Sequence, residues 1–240
     1  MNVYWLEQTE ADVPAESAWL SANEIAKLDA MRFAKRRTDW RLGRWVAKNA
    51  LAAYLNLPDD PCVLARVEIR PAASGAPEVF VANKPAAVSI SLSHRDGMAA
   101  CAVTSADAEV GCDLELVESH SEAFISDYFT AEERALVAQA FGADRFRLLA
   151  LLWSAKESAL KALHMGLRLS TQSVIVKPVE GFDLNGWSPL QVRCPGDRIF
   201  RGWWQYRDDI VRTLVANPTP DTPIRLRDPS YFPEYVPQCA

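Results

Sequence analysis

Alternation of apolar and polar residues is clearest at 88–94, where Val88, Ile90 and Leu92 interleave with Ser89, Ser91 and Ser93 and the run ends at His94. Arg95-Asp96-Gly97 reads as a turn. Met98–Thr104 returns, Ser105–Ala108 turns again, and Glu109–Val117 runs out, which predicts a three-strand antiparallel meander. In the last of these strands Val110, Cys112, Leu114 and Leu116 share one face, for the core, and Asp113 and Glu115 share the other, for a cleft. Val3–Leu6 and Val63–Arg70 also read as strands, as do segments near 172–177, 189–193, 199–206 and 210–216.

Helical spacing fills the remainder. Ser21-Ala22-Asn23-Glu24 has the form of a capping box opening a helix to about Met31, and Thr130-Ala131-Glu132-Glu133 opens another to about Phe141. A long helix over 36–56 ends before Pro58 and carries a core stripe of Val46, Ala50, Leu51 and Tyr54. Arg37, Arg41, Arg44 and Lys48 form a second, basic stripe. Asp144 is expected to cap a helix running to about His164, with Gly166 just past its end. Six of the fifteen prolines fall in 217–240, read as an extended tail over the surface. The order of elements predicts an α+β fold of two halves of similar size, joined near 106–120. The expected divisions are 1–108, 109–216 and the Pro-rich tail 217–240. No convincing repeat is visible at the residue level.

At 240 residues, with 49% apolar and 24% charged positions, the chain is long enough for a real core. A net charge of −5 argues against a general nucleic-acid binder. The five cysteines are scattered without C-x-x-C, as suits free thiols in a reducing cytoplasm. No stretch reads as a signal peptide or a membrane span, so none is expected.

The chemistry concentrates in two segments. Val110-Gly111-Cys112-Asp113-Leu114-Glu115 places two carboxylates on one strand face, and Trp153-Ser154-Ala155-Lys156-Glu157-Ser158-Ala159-Leu160-Lys161 places Glu157 and Lys161 four apart on a helix. Brought together, they form a site for a hard divalent cation and a phosphate ester. Otherwise, Asp113 and Glu115 are a solvated strand face and Glu157–Lys161 an ordinary ion pair. The arginine stripe is either a phosphate contact or a solvated helix face. His94, beside Ser93, is either a phosphate donor or a structural histidine. The aromatic residues of 117–134 either receive a partner or pack the core. No Walker or dinucleotide-binding glycine loop and no zinc spacing is present.

Taken in this order, Gly75-Ala76-Pro77, Ile90-Ser91-Leu92-Ser93-His94, the G-x-D-x-E segment, the W-x-x-K-E-x-x-x-K segment and Gly166-Leu167 resemble the 4′-phosphopantetheinyl transferase superfamily, and its larger single-chain, surfactin-synthetase-activating type in particular. The resemblance covers about residues 1–215, with Cys112 where the family usually has an aliphatic residue. It implies a pseudo-symmetric pair of α/β halves, each with a mainly antiparallel sheet packed on a long helix, and a ligand cleft between them. It implies an enzyme that moves the phosphopantetheine arm of coenzyme A to a serine of an acyl, peptidyl or aryl carrier protein of fatty-acid, nonribosomal-peptide, polyketide or siderophore synthesis. Adenosine 3′,5′-bisphosphate would be released. It implies Mg²⁺, with Mn²⁺ possible, on Asp113, Glu115 and Glu157. Glu157 would be the base and Lys161 a phosphate contact. Coenzyme A would further meet Arg44, Gly75, Pro77, Ser93 and His94, with Arg37 and Arg41 as additional phosphate contacts. The carrier would dock near 117–134, and two halves in one chain imply a monomer. Two rival readings are a metal-dependent phosphohydrolase acting on a pyrophosphate such as coenzyme A, and a non-catalytic carrier-binding module.

Overall fold

The computed structural model describes residues 1–179 and 186–226. The first half runs β1 (Tyr4–Thr9), α1 (Ala22–Asp29), α2 (Ala34–Tyr54), α3 (Pro61–Leu64), β2 (Val67–Pro71), β3 (Pro77–Val81), β4 (Lys84–Pro85), β5 (Val88–Arg95) and β6 (Met98–Ser105). The second runs β7 (Glu109–Leu116), α4 (Glu122–Tyr128), α5 (Ala131–Gln139), α6 (Gly142–Ala162), β8 (Ile175–Pro178), β9 (Ser188–Cys194), β10 (Arg198–Arg207) and β11 (Ile210–Asn217). A short β12 (Ile224–Arg225) closes the described chain by pairing parallel to β1. The fold is α+β. Three sheets carry it, ordered β12-β1-β6-β5, β2-β3-β4 and β7-β11-β10-β9-β8. Apart from β12, every pairing is antiparallel.

Both capping boxes form as expected: Ser21 with Glu24 and Thr130 with Glu133 bond reciprocally at the starts of α1 and α5. Three expectations need correction. The start of the segment read as a strand at 63–70 is helical, because Asp60 accepts from Cys62 N and Val63 N and Pro61 sits at the first helical position; the strand begins only at Val67. Asp144 is not the cap of α6. The helix starts at Gly142 after Phe141, and Asp144 lies within its first turn. The meander stops after two strands: β5 and β6 form a hairpin, but β7 pairs with β11. On its β5 side the backbone N–H groups of Cys112 and Leu114 donate instead to the hydroxyls of Ser91 (2.9 Å) and Ser93 (3.2 Å). The alternating serines therefore form a side-chain seam between the halves. Of the tail, residues 217–226 are described, and 227–240 lie outside the described residues.

Several features recur in both halves, although no repeat is visible at the residue level. The hairpins β5–β6 and β10–β11 both turn in two residues, joining Arg95 to Met98 and Arg207 to Ile210. Counting three on, Cys101 pairs with Leu6 of β1, and Thr213 pairs with Asp113 of β7. The helices match as well. α2 and α6 each have 21 residues, and aligning their starts sets Trp45-Val46-Ala47-Lys48-Asn49 on Trp153-Ser154-Ala155-Lys156-Glu157. Apolar cores lie under each helix. One joins Leu42, Val46 and Leu51 with Ile90, Cys101 and Val103, and the other joins Leu149, Leu152 and Leu160 with Val176, Val192 and Phe200. Burial of this kind is worth roughly 1.5–3 kcal/mol per large side chain.

Candidate active site

Helix α6 lies hard against β7 because of Gly111. A methyl group added there would fall 1.8 Å from the carbonyl oxygen of Ser158 and 2.8 Å from Ala162 N. Ser154 and Ser158 tie the same helix to Thr213 of β11, with hydroxyl separations of 2.8 and 2.7 Å. The close approach lets Lys161, near the end of α6, reach the middle of β7: its Nζ donates to Asp113 Oδ1 (2.7 Å) and to Cys112 O (3.0 Å). Ser93 also donates to Asp113 Oδ1, at 2.8 Å. Asp113 is 4% exposed, and its second oxygen, Oδ2, is buried with no hydrogen-bond partner. An unpaired buried carboxylate oxygen is costly, and it marks a place for a cation or a donor.

Two further carboxylates face this oxygen's charge. Glu115 accepts from the Trp153 indole N–H (3.0 Å) and lies 3.6 Å from Arg95 Nε. Burial, and then the charge of Asp113, pushes its carboxyl up to about 7. Glu157 is half-buried and is raised by burial and by Asp113 in the same order. Burial acts to lower the Lys161 ammonium, but Asp113, Cys112 and Glu157 more than offset it and leave it above its ordinary value. Among the described residues Glu157 makes no ion pair. Lys161 has turned to Asp113, so the ordinary helical Glu157–Lys161 pair does not form.

Among the described residues no three His, Cys, Asp or Glu side chains stand close enough to hold a metal ion by themselves. Asp113, Glu115 and Glu157 are coupled through the charge of Asp113 without forming a ready cage. The donor set still fits Mg²⁺, which usually takes only one or two protein carboxylates and completes its shell with water and substrate phosphate oxygens. An orphaned Asp113 Oδ2 flanked by two carboxyls that resist ionisation is such a partial shell.

Lys161 also lines a cleft of about 700 Å³. Arg44 of α2, the Ser74–Pro77 turn between β2 and β3, Ser91 and Leu92 of β5, and His164 and Arg168 beyond α6 form its other walls. Gly75 takes φ +90° in that turn, a conformation that side chains avoid. Arg168 ties the walls together by donating to Ser74 O (2.9 Å) and His164 O (3.0 Å). Of the residues singled out from sequence, Arg44, Gly75, Pro77 and Lys161 line this cleft.

Others are placed differently. Arg37 donates to Leu28 O (2.8 Å), and Arg41 holds Ser17 (2.7 Å) and the carbonyls of Pro14, Ala15 and Glu16, so neither faces the cleft. Lys48 is wholly buried. Of the basic stripe only Arg44 lines the cleft, because Arg37, Arg41 and Lys48 direct donors to backbone carbonyls. Ser93 is corrected too: its hydroxyl is committed to Asp113 and Leu114, and strand alternation puts His94 on the opposite face. His94 is exposed, two residues beyond Leu92 along β5, and is not among the residues lining the cleft. Phe129 and Ile125 are buried, and the half-buried Phe124 and Tyr128 pack edge-on to Trp153 against that core. Residues that sequence reasoning missed are Arg95, His164 and Arg168. Trp153 stands in the W-x-x-K-E segment, but its bond to Glu115 was not foreseen.

Residues 109–199 match the model of the 4′-phosphopantetheinyl transferase superfamily. The chain is 25% identical over 193 residues to the 4′-phosphopantetheinyl transferase HetI of Nostoc sp., covering 78% of this chain and 79% of that protein. Among solved structures, the holo-[acyl-carrier-protein] synthase of Thermotoga maritima matches with a TM-score of 0.37 and 22% identity, over 45% of this chain and 61% of that one.

Proposed function

We propose that this chain is an enzyme that transfers the 4′-phosphopantetheine group of coenzyme A to a serine of an acyl, peptidyl or aryl carrier protein, releasing adenosine 3′,5′-bisphosphate. The observation that carries the reading is Asp113. One oxygen is clamped by Lys161 and Ser93, the other is buried and unpaired, and a cleft of about 700 Å³ begins at the same lysine. That volume lies within the usual range for a small-molecule or cofactor site.

Asp113, through Oδ2, with Glu115 and Glu157 beside it, would hold Mg²⁺. When bound, the ion supplies charge neutralisation at the pyrophosphate and polarises the phosphorus under attack. The protein's own groups do the rest. The serine oxygen forms a bond to the β-phosphorus of coenzyme A, and the bond from that phosphorus to the bridging oxygen breaks. The electron pair leaves with the bisphosphate. Glu157, whose carboxyl is raised above its ordinary value by burial and the charge of Asp113, takes the serine proton. Lys161 stabilises negative charge on the departing group. Arg44 meets phosphate from the facing wall, His94 meets the 3′-phosphate at the rim, and Gly75 and Pro77 shape the adenine side. Ser93 acts through Asp113 by fixing its orientation. Four of the five cysteines are free thiols in the described chain, which supports a reducing, cytoplasmic setting. No described helix is long and apolar enough to cross a membrane.

The test is mass spectrometry of an apo-carrier protein incubated with the chain, coenzyme A and Mg²⁺. The expected result is a gain of one phosphopantetheinyl group on a serine, dependent on both additions. Consumption of coenzyme A without carrier would favour a phosphohydrolase. An unmodified carrier with intact coenzyme A would favour a non-catalytic module.

A further inference from the structure

Each half contains the same buried device. In the first, Lys48 of α2 is fully buried, and its ammonium meets Glu24 Oε2 (2.6 Å), Trp19 O (2.9 Å) and Leu64 O (3.0 Å). In the second, Lys156 of α6 is fully buried and meets Glu133 Oε2 (2.8 Å), Thr171 O (2.8 Å) and Val174 O. Both carboxylates are the capping-box residue of the preceding helix, and both reach a strand: Glu24 Oε1 accepts from Ile69 N (3.5 Å) and Glu133 Oε1 from Val176 N (3.0 Å). Each lysine is the fifteenth residue of its 21-residue helix, and each ammonium lies 5.8 Å from an aromatic ring, Trp19 or Phe129.

Lys156 sits beside Glu157 in the segment that resembles the family's, yet it cannot touch a ligand. It has no exposed surface, and its three N–H groups have three acceptors. Its counterpart Lys48 keeps the device in a half where Glu157 and Lys161 are replaced by Asn49 and Ala53. The device therefore does not depend on a neighbouring carboxylate. What differs is the cleft group that each one steadies. Glu24 also stands 3.5 Å from Arg44 Nε, and Arg44, stacked over Trp40 with its Nε making no hydrogen bond, has that carboxylate as its anchor at the cleft wall. Lys156 fixes the rotation of α6 one residue before Glu157 and five before Lys161, and so sets the angle at which both meet Asp113.

We propose that the two pairs are positioning devices for opposite walls of the cleft: Glu24–Lys48 aims Arg44 and sets affinity for coenzyme A, whereas Glu133–Lys156 aims Glu157 and Lys161 and sets turnover. The division rests on the transferase reading above.

Lys48→Gln and Lys156→Gln test it, each keeping donors for the carbonyls. Steady-state transfer to an apo-carrier is measured per folded molecule, with the folded fraction taken from denaturant curves and coenzyme A affinity from calorimetry. Lys156→Gln lowers kcat roughly ten- to hundredfold and leaves coenzyme A affinity within about twofold, as expected when reacting groups are misplaced. Lys48→Gln weakens coenzyme A binding roughly tenfold and leaves kcat within about threefold. Should either lysine variant fail to fold, Glu133→Gln or Glu24→Gln, which retain an acceptor oxygen, are read in its place. Unchanged kcat and affinity per folded molecule in both variants would reduce the pairs to plain structural contacts and overturn the proposal. Loss of coenzyme A affinity in Lys156→Gln would overturn it as well. A wild type that modifies no carrier refutes the transferase reading itself, while the calorimetric difference between the variants still reports on Arg44.

Discussion

The first half packs tyrosine where the second has glycine. By the shared register, Gly111 of β7 corresponds to Tyr4 of β1, and Ala162, the last residue of α6, corresponds to Tyr54, the last of α2. Tyr4 and Tyr54 meet edge to face with ring centroids 5.3 Å apart, filling the space between strand and helix. In the second half the space is gone, and even a methyl group on Gly111 would collide with the α6 backbone. The difference explains why only one half is equipped for chemistry. A helix that closes onto its strand brings Lys161 within 2.7 Å of Asp113. A helix held off by two rings has no use for such a pair, and there Leu6 and Gln8 stand for Asp113 and Glu115, and Asn49 and Ala53 for Glu157 and Lys161. Scaffold and chemistry are thus separable: the buried lysine–glutamate pairs recur in both halves, and the acidic cluster in one.

The most drastic way to break the contrast is to remove the second half's chemistry while keeping its packing. Asp113→Ala and Glu157→Ala should each lower carrier modification by roughly 10²–10⁴-fold, the scale of a lost acid–base or charge-stabilising group, with the fold intact by circular dichroism. Near wild-type turnover in either variant would remove that residue from the mechanism. Gly111→Ala attacks the close approach itself. The clash with Ser158 O is with backbone and cannot be relieved by a side-chain rotation, so stability should fall by about 1–3 kcal/mol in denaturant titrations. Transfer should fall further than the folded fraction does.

Acidity offers a gentler probe. The Glu115 carboxyl sits near 7, well above its ordinary value, because the folded protein buries it beside Asp113. The folded state therefore holds a proton that the unfolded chain has released. Its contribution to stability is complete below the ordinary carboxylate range and is lost as the pH rises through about 7. A divalent cation needs the ionised form, so Mg²⁺ should raise the Tm more above that pH than below it. An increment that is flat across this range would show that Glu115 does not sense the ion.

The smallest expected effects separate the first half's arginines and His94. Arg44→Ala should weaken coenzyme A binding roughly tenfold, whereas Arg37→Ala should leave it unchanged in calorimetry, because Arg37 holds backbone carbonyls away from the cleft. His94→Ala should weaken coenzyme A more than dephospho-coenzyme A. Equal loss for both would reassign the histidine.

The acidic strand and the motif helix were legible from two-residue and four-residue periods alone, and so were the capping boxes, because these signals are local. The pairing of β7 was not. Three consecutive strand-like runs look like a meander, but Ser91 and Ser93 satisfy the β7 amides with side-chain oxygens and free the strand to pair with β11, about a hundred residues further on. The basic stripe misled for a related reason. Helical spacing shows which residues share a face but not what that face meets, and carbonyls of the N-terminal loops capture Arg37, Arg41 and Lys48. The repeat was hidden because its shared positions, a tryptophan and a lysine three apart, are few and lie among residues that diverged once one half kept the chemistry.

Asp113 Oδ2 is the atom on which the account turns. A crystal of the chain grown with coenzyme A and Mn²⁺, with anomalous scattering recorded for the metal, examines it directly. The ion should lie on Asp113 Oδ2 between the nucleotide pyrophosphate and the Glu115 and Glu157 carboxylates. A manganese peak elsewhere, with Asp113 Oδ2 still unpaired, would contradict it.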